Sequence, residues 1–304
     1  MKKYIIILAL IFACSQHIHG QSFRKVGYNE VGGGIGPSFF LSDLGGNKSI
    51  GKPFISDIDL KSTRISFYAY YKRNFSDRFG LKIQGSYVGL YADDLHVGSP
   101  EFGSDQWFRY IRNLRTKVNI LELHAIGEFN ILPFVVGESR KRFSKKWTPY
   151  LSVGVGLFKN FTKIDPENSG NWIRAGKDGV ETEDYANGNP HSKPHLNIIG
   201  GGGIKWNMGR KSRVTLDASL LYRHTFTDYL DDVSTVYNGN EYSMALDGHP
   251  DLASWTDEAV GAANYSIREG NQRGDDADKD HYFTINVGVA FRLQKQNYKC
   301  PTFK

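Results

Sequence analysis

Arg78-Phe79-Gly80-Leu81-Lys82-Ile83-Gln84-Gly85-Ser86-Tyr87 alternates at every step. Phe79, Leu81, Ile83, Gly85 and Tyr87 share one face, while Arg78, Gly80, Lys82, Gln84 and Ser86 share the other. A period of two is that of a β-strand with one apolar and one polar side. The segment before it behaves the same way, with Ile65, Phe67, Ala69 and Tyr71 opposite Arg64, Ser66, Lys72 and Asn74. Ser76-Asp77 supplies a tight turn between the two, so together they form a hairpin.

Working outward, the same alternation recurs. Tyr28–Phe40 opens the series with Val31, Ile35 and Phe39 on one face. Val118–Asn130 sets Leu121, Leu123, Ala125 and Phe129 against Glu122, His124, Glu128 and Asn130. Thr148–Asn160 sets Leu151, Val153, Val155 and Leu157 against Tyr150, Ser152, Gly154 and Gly156. His195–Met208 sets Leu196, Ile198, Ile204 and Trp206 against Asn197, Lys205 and Asn207. Arg213–Phe226 sets Val214, Leu216, Ala218, Leu220 and Tyr222 against Asp217, Ser219 and Arg223. His281–Leu293 closes the series, with Phe283, Ile285, Val287, Val289 and Phe291 against Thr284, Asn286 and Arg292. The strands number eight, and sustained helical periodicity is absent.

Runs of about 12–14 residues exceed the usual soluble strand and suffice to cross a bilayer at a tilt. The connections alternate in length. Ser76-Asp77 and Gly209–Ser212 are short and Ile131–Trp147 is moderate, whereas Leu41–Ser62, Ala92–Lys117, Phe161–Pro194 and Thr227–Asp280 are long. Short turns on one side, long loops on the other and an even strand count predict an all-β protein: an eight-stranded antiparallel transmembrane β-barrel of the outer membrane. The short turns and both termini then face the periplasm. A soluble lipocalin-like barrel would turn its apolar face inward. That arrangement is disfavoured, because Arg78, Lys82, Glu128, Asp217 and Arg223 sit together on the other face. Tyr68, Tyr70, Tyr71, Tyr87, Tyr91, Trp147, Tyr150, Trp206 and Tyr222 are expected to serve for the most part in interfacial girdles.

Composition agrees with this architecture. The 304 residues include 33 Gly and 13% aromatics, a poor recipe for helices. The mean hydropathy of −0.43 and a longest apolar run confined to Tyr4–Cys14 exclude helical membrane spans. Residues 1–20 have the form of a secretory signal: Lys2 and Lys3, the apolar core Tyr4–Cys14, then Ile18-His19-Gly20 before Gln21. Lipid attachment at Cys14 is the alternative, with bulky Phe12 fitting it poorly. Loss of Lys2 and Lys3 lowers the formal charge from +6 to +4, with no basic stripe for nucleic acid. The expected organisation is a signal over 1–20, a barrel over 21–293 and a periplasmic tail over 294–304. Once the signal is removed, Cys300 stands alone and can form no internal disulfide.

Signals for chemistry are weak. Gly32-Gly33-Gly34 and Gly200–Gly203 lie inside strands and lack the flanks of a phosphate loop. Asp228, Asp231 and Asp232 open the last long loop, and Asp275, Asp276, Asp278 and Asp280 close it. These carboxylates are of a type that binds calcium, but neither group has the EF-hand pattern. His124 and Ser219 are the residues of interest for a barrel enzyme acting on lipid or glycan, and no Gly-x-Ser-x-Gly elbow accompanies them. A small-ligand-binding barrel is a third reading. A barrel of eight strands is filled by its own side chains, which argues against a diffusion pore. No cofactor and no small-molecule substrate are expected.

One stretch is distinctive. Thr225-Phe226-Thr227-Asp228-Tyr229-Leu230-Asp231-Asp232-Val233-Ser234 resembles a signature of the PorG-like outer-membrane proteins of Bacteroidota, components of the type IX (Por) secretion system. Glu30–Gly36 with Leu41–Gly46, Tyr71–Phe75 with Arg78-Phe79, Leu121–Leu123 with Glu128–Asn130, and Thr148–Tyr150 resemble other parts of that family in order. So do Asp280–Phe283 and the tail Lys299-Cys300-Pro301-Thr302-Phe303. The resemblance implies a non-enzymatic barrel that contacts the periplasmic PorK/PorN ring, with the outer-membrane translocon as a further neighbour. It also makes Cys300, Pro301 and Phe303 candidates for a periplasmic contact.

Overall fold

The computed structural model describes residues 25–42, 44, 60–97, 100–102, 104–137, 145–165, 170–175, 194–209, 213–227, 230–231, 233, 257–266, 270–271 and 279–293. Residues 1–24 and 294–304, with the expected signal and tail, lie outside them. The long strands are β1 (Lys25–Leu41), β2 (Arg64–Ser76), β3 (Phe79–Asp93), β4 (Arg115–Asn130), β5 (Trp147–Asp165), β7 (His195–Asn207), β8 (Val214–Thr225) and β9 (His281–Arg292). A two-residue strand, β6 (Ile173–Arg174), pairs on the end of β5.

Every long strand is antiparallel to its neighbours. The order β4-β3-β2-β1-β9-β8-β7-β5 is closed by β4 pairing with β5, so the eight long strands form a barrel without a free edge. Closure pairs backbone N–H and C=O groups between strands, a condition for any backbone that crosses hydrocarbon. The connections β2–β3, β4–β5 and β7–β8 share one end with the start of β1 and the end of β9. The longer connections share the other end and hold α1 (Asp105–Arg112) and α2 (Asp257–Ser266).

The two walls follow the alternation. Leu81, Ile83, Leu121, Leu123, Leu151, Val153, Val155, Leu157, Leu196, Ile204, Ile285 and Val287 point outward and remain exposed. Lys72, Lys82, Gln84, Glu122, His124, Glu128, Asn197, Lys205, Asp217, Arg223 and Asn286 point inward and are buried. In water such a surface would expose far more contiguous apolar area than a monomer tolerates. In a bilayer it is the outward apolar band of an outer-membrane barrel, which is where this chain belongs.

The glycines answer to the lumen's narrowness. A Cβ on Gly288 would stand 2.2 Å from the Tyr68 hydroxyl, and one on Gly156 would stand 2.1 Å from Cδ2 of His124. At both positions the missing side chain admits a ring, that of His124 from the adjacent β4 and that of Tyr68 from β2, two strands away.

Two expectations are corrected. β3, β4 and β5 run for 15, 16 and 19 residues, so the expected loop Ala92–Lys117 shortens to Asp94–Leu114. These strands continue beyond the membrane band because connecting segments cover their ends, with Leu44, Ala92, Leu114, Ile164, Ala175 and Val233 forming an apolar cluster there. Arg112 pairs with Asp94 at 2.8 and 2.9 Å and ties α1 to that extension. In addition, Tyr68, Tyr70 and Tyr150 turn into the lumen rather than joining a girdle: the Tyr68 and Tyr70 rings stack at 6.2 Å, Lys72 and Lys82 lie 5.9 and 5.0 Å from the Tyr70 ring, and Lys205 lies 4.0 Å from Tyr150.

Candidate functional site

The lumen is filled from end to end, in four layers. At the short-turn mouth, the chain leaving β4 folds under the barrel and packs Phe134, Val135 and Val136 against Tyr28. Phe134 N donates to Asp77 O at 2.9 Å, Asn207 Nδ2 to Val135 O at 3.2 Å and Arg292 Nη1 to Val136 O at 2.7 Å. The Arg292 guanidinium also lies 4.4 Å from the Tyr28 ring. Three strands and the turn thus hold one apolar stopper.

Above it sits a charged layer centred on Glu128. Its carboxylate meets the ammonium groups of Lys205 at 2.5 Å, Lys82 at 3.0 Å and Lys72 at 3.3 Å. Lys72 also pairs with Glu30 at 2.5 Å, and Asp217 accepts from the Tyr150 hydroxyl at 3.0 Å. Lys72, Lys82 and Lys205 are matched in number by Glu30, Glu128 and Asp217, so the layer is formally neutral. Buried ions are tolerated only with this degree of pairing.

The third layer is built on Glu122. Arg223 Nε lies 3.3 Å from one carboxylate oxygen, and the Tyr282 hydroxyl donates to the same oxygen. Arg223 also donates to Thr284 Oγ1 at 2.7 Å. His124 stands beside Glu122 at 3.9 Å and bonds Asn197 through Nε2 at 3.0 Å. This was the neighbourhood in which sequence placed a candidate catalytic histidine. No hydrogen bond joins His124 to Ser219, whose hydroxyl engages Tyr68 and Tyr150 instead. His224 and His281 lie with Tyr222 and Phe226 on the outer side, their two rings 4.6 Å apart.

The fourth layer closes the loop-side mouth, and the distinctive decapeptide supplies it. Thr225 ends β8, and its hydroxyl bonds the carbonyls of Asp280 at 2.5 Å and Thr227 at 3.1 Å. Leu230 descends among Val88, Leu90, Val118, Ile120, Phe158 and Tyr282. Its backbone is clamped, the N–H donating to Asp280 Oδ2 and the carbonyl accepting from Thr162 Oγ1, both at 2.9 Å. Thr116 Oγ1 donates to Asp231 O at 2.9 Å, and Asp231 Oδ1 accepts from Val233 N at 2.9 Å. Phe226 alone of the described members is exposed outward. Asp228, Tyr229, Asp232 and Ser234 lie outside the described residues, as do Asp275, Asp276, Asp278 and the tail residues Cys300, Pro301 and Phe303.

Asp231 and Asp280, two of the carboxylates considered for calcium, are thus engaged with backbone N–H groups. Among the described residues no group of three or more His, Cys, Asp or Glu side chains is arranged to hold a metal. The two stoppers escaped sequence reasoning. The only hint of the lower one is an apolar Phe134-Val135-Val136 in a connection, and of the upper one Leu230 and Val233 among polar neighbours.

Comparison with solved structures returns small outer-membrane proteins. The attachment invasion locus protein Ail of Yersinia pestis is 12% identical over 88% of this chain and 99% of its own, with a TM-score of 0.37. OprG from Pseudomonas aeruginosa is 11% identical over 88% of this chain and 98% of its own, with a TM-score of 0.38. Neisserial surface protein A is 10% identical over 86% of this chain and 96% of its own, with a TM-score of 0.36. No family model and no curated protein sequence matches the chain.

Proposed function

We propose that this barrel is a non-enzymatic component of a type IX protein secretion system, anchoring or coupling a periplasmic ring of the PorK/PorN kind to the outer membrane. The observation that carries the reading is the double closure of the lumen. Phe134–Val136 stops one mouth and Leu230 the other, with three buried lysines and their carboxylates between them. A barrel so filled conducts nothing, and its working parts are its ends and its outer wall. The sequence resemblance of Thr225–Ser234 and of the Cys300-Pro301-Phe303 tail to PorG-like proteins supports the choice of partner. β9 ends at Arg292 beside Glu30, so the chain departs toward residue 294 on the short-turn, periplasmic side. On this reading the tail meets a ring on that side, while the long loops face outward or toward a translocon subunit.

The test is affinity purification of the full-length protein from solubilised outer membrane. A ring component co-purifies, and deletion of Gln294–Lys304 abolishes co-purification while the barrel keeps its heat-dependent shift on gels. Absence of any ring or translocon component overturns the reading. So does a lipid- or glycan-hydrolysing activity that disappears with His124→Ala.

A further inference from the structure

Loop-ward of the apolar band, the outer wall over β2–β5 changes character. Its side chains there include Arg115, Lys117, Lys159 and Lys163, joined by Arg174 of β6, while Arg64, of inward parity at the exposed start of β2, reaches the Tyr91 ring. The register sets like charges face to face: Lys117 is directly opposite Lys163, and Lys163 is directly opposite Arg174. Directly opposed like charges destabilise a sheet, so three neighbouring strands carry a row that folding alone disfavours. Lys117 is within electrostatic reach of Arg64, Arg115 and Lys163, with Asp165 as the one opposing charge among the groups that act on it.

Among the described residues one carboxylate, Asp165, stands near the row, and it is already engaged. Asp165 is buried at the end of β5, where it pairs with Arg115 and accepts from Gly170 N at 2.8 Å. Among the described residues no carboxylate forms a salt bridge with Lys117, Lys159, Lys163 or Arg174. Their neighbours are rings. Lys117 Nζ lies 3.6 Å from the Trp172 ring centroid, Arg64 lies 4.5 Å from Tyr91 and Lys159 lies 5.7 Å from Phe161. Ring faces orient a cation and leave its charge available. At the opposite rim the arginines are engaged, Arg73 with Asn29 Oδ1 at 2.7 Å, Arg78 with Ile131 O at 2.8 Å and Arg213 with Arg292 O at 2.9 Å and Leu293 O at 2.6 Å. Lys146 there lies 5.0 Å from the Trp206 ring without a like charge set opposite it in the register.

The level of the row identifies what meets it. Leu121 is directly opposite Lys159, and Leu157 lies two residues before it on the same outward face. A tilted strand climbs about 2.3 Å per residue, so Lys159 stands roughly 5 Å and Lys163 roughly 14 Å beyond Leu157. That interval covers the headgroup layer of the leaflet on the loop side and the region just past it. We propose that this basic and aromatic face binds the phosphate groups of a phosphorylated glycolipid of the lipid A class, the anionic lipid of an outer-membrane outer leaflet. The bound phosphates neutralise the Lys117–Lys163–Arg174 row, and the neighbouring rings pack against the sugar edge.

The test uses full-length protein in neutral detergent, with bound lipid A counted by native mass spectrometry. Lys117→Gln with Lys163→Gln lowers affinity for bisphosphorylated lipid A about thirtyfold, the product of a roughly fivefold contribution from each surface cation. Arg73→Gln with Lys146→Gln removes the same charge near the other rim and leaves affinity within about twofold. A second readout guards against misfolding. In detergent alone the Lys117/Lys163 double variant keeps its folded gel migration to a higher temperature than the parent, because a repulsion is gone. Adding lipid A reverses that ranking. Equal binding by parent and double variant overturns the proposal. Equal binding of dephosphorylated lipid A overturns it, and so does complete competition by an equal concentration of inorganic phosphate, which would make the ligand a free anion.

Discussion

One residue of β4 separates two solvents. Glu128 faces inward, buried against three lysine ammonium groups, and Phe129 beside it faces outward at 41% exposure. The same contrast repeats at Glu122 and Leu121, and on β5 at Ser152 and Val153, which is 66% exposed. The inner wall is held by specific partners at fixed distances, the outer wall by a non-specific preference for hydrocarbon. Substitutions should therefore fail in different ways on the two sides: inside by stranding a named partner, outside only when lipid is present to object.

The inner wall should give the largest effect. Glu128→Ala strands Lys82 and Lys205, whose direct counter-ion it is, and removing one partner of a buried pair costs about 3–5 kcal/mol. Urea unfolding of the refolded barrel measures this, and adding Lys205→Met should recover part of the loss, since two residues in one network are not additive. Full additivity of the two changes would mean that the layer is not a network. The outer wall comes next. Val153→Arg puts a charge in the apolar band and costs about 2–4 kcal/mol at the bilayer midplane. The loss should appear in phospholipid vesicles and shrink in detergent micelles, where the arginine reaches water.

This difference between walls also explains what sequence could disclose. Alternation is visible wherever the two sides face unlike media, so Phe79, Leu81 and Ile83 against Gly80, Lys82 and Gln84 announced a membrane strand directly. The signal fades above the band. Val118 and Ile120 are apolar yet point inward, because Leu230 meets them in the mouth, and the same parity that set Glu122 and His124 inside continues through them. Phe161-Thr162-Lys163-Ile164-Asp165 extends β5 into a region where Ile164 is covered by Leu44 and Val233 from distant loops. No local pattern carries that information. The charges were legible as inward-facing; which carboxylate meets which ammonium was not, since Glu128 joins β2, β3 and β7 across the lumen. The decapeptide was conspicuous as a sequence, but its closing role depends on Thr116 and Thr162, far away in the chain.

The smallest effect tests where the outer wall ceases to face lipid. Phe39 and Phe283 sit on the outward parity of paired β1 and β9, yet they are only 9% and 4% exposed, with rings stacked at 4.7 Å. Their neighbours two to four residues nearer the middle, Ile35 and Ile285, are 50% and 44% exposed. The change means that protein covers the rim at this point of the barrel. Phe283→Leu keeps an apolar side chain and loses the stack, at a cost of about 0.5–1.5 kcal/mol. Because the covering is protein, that loss should be the same in vesicles and in micelles, unlike the loss at Val153. A Phe283→Leu cost that tracks the lipid instead would place the pair within the hydrocarbon and extend the membrane band up to the start of β9.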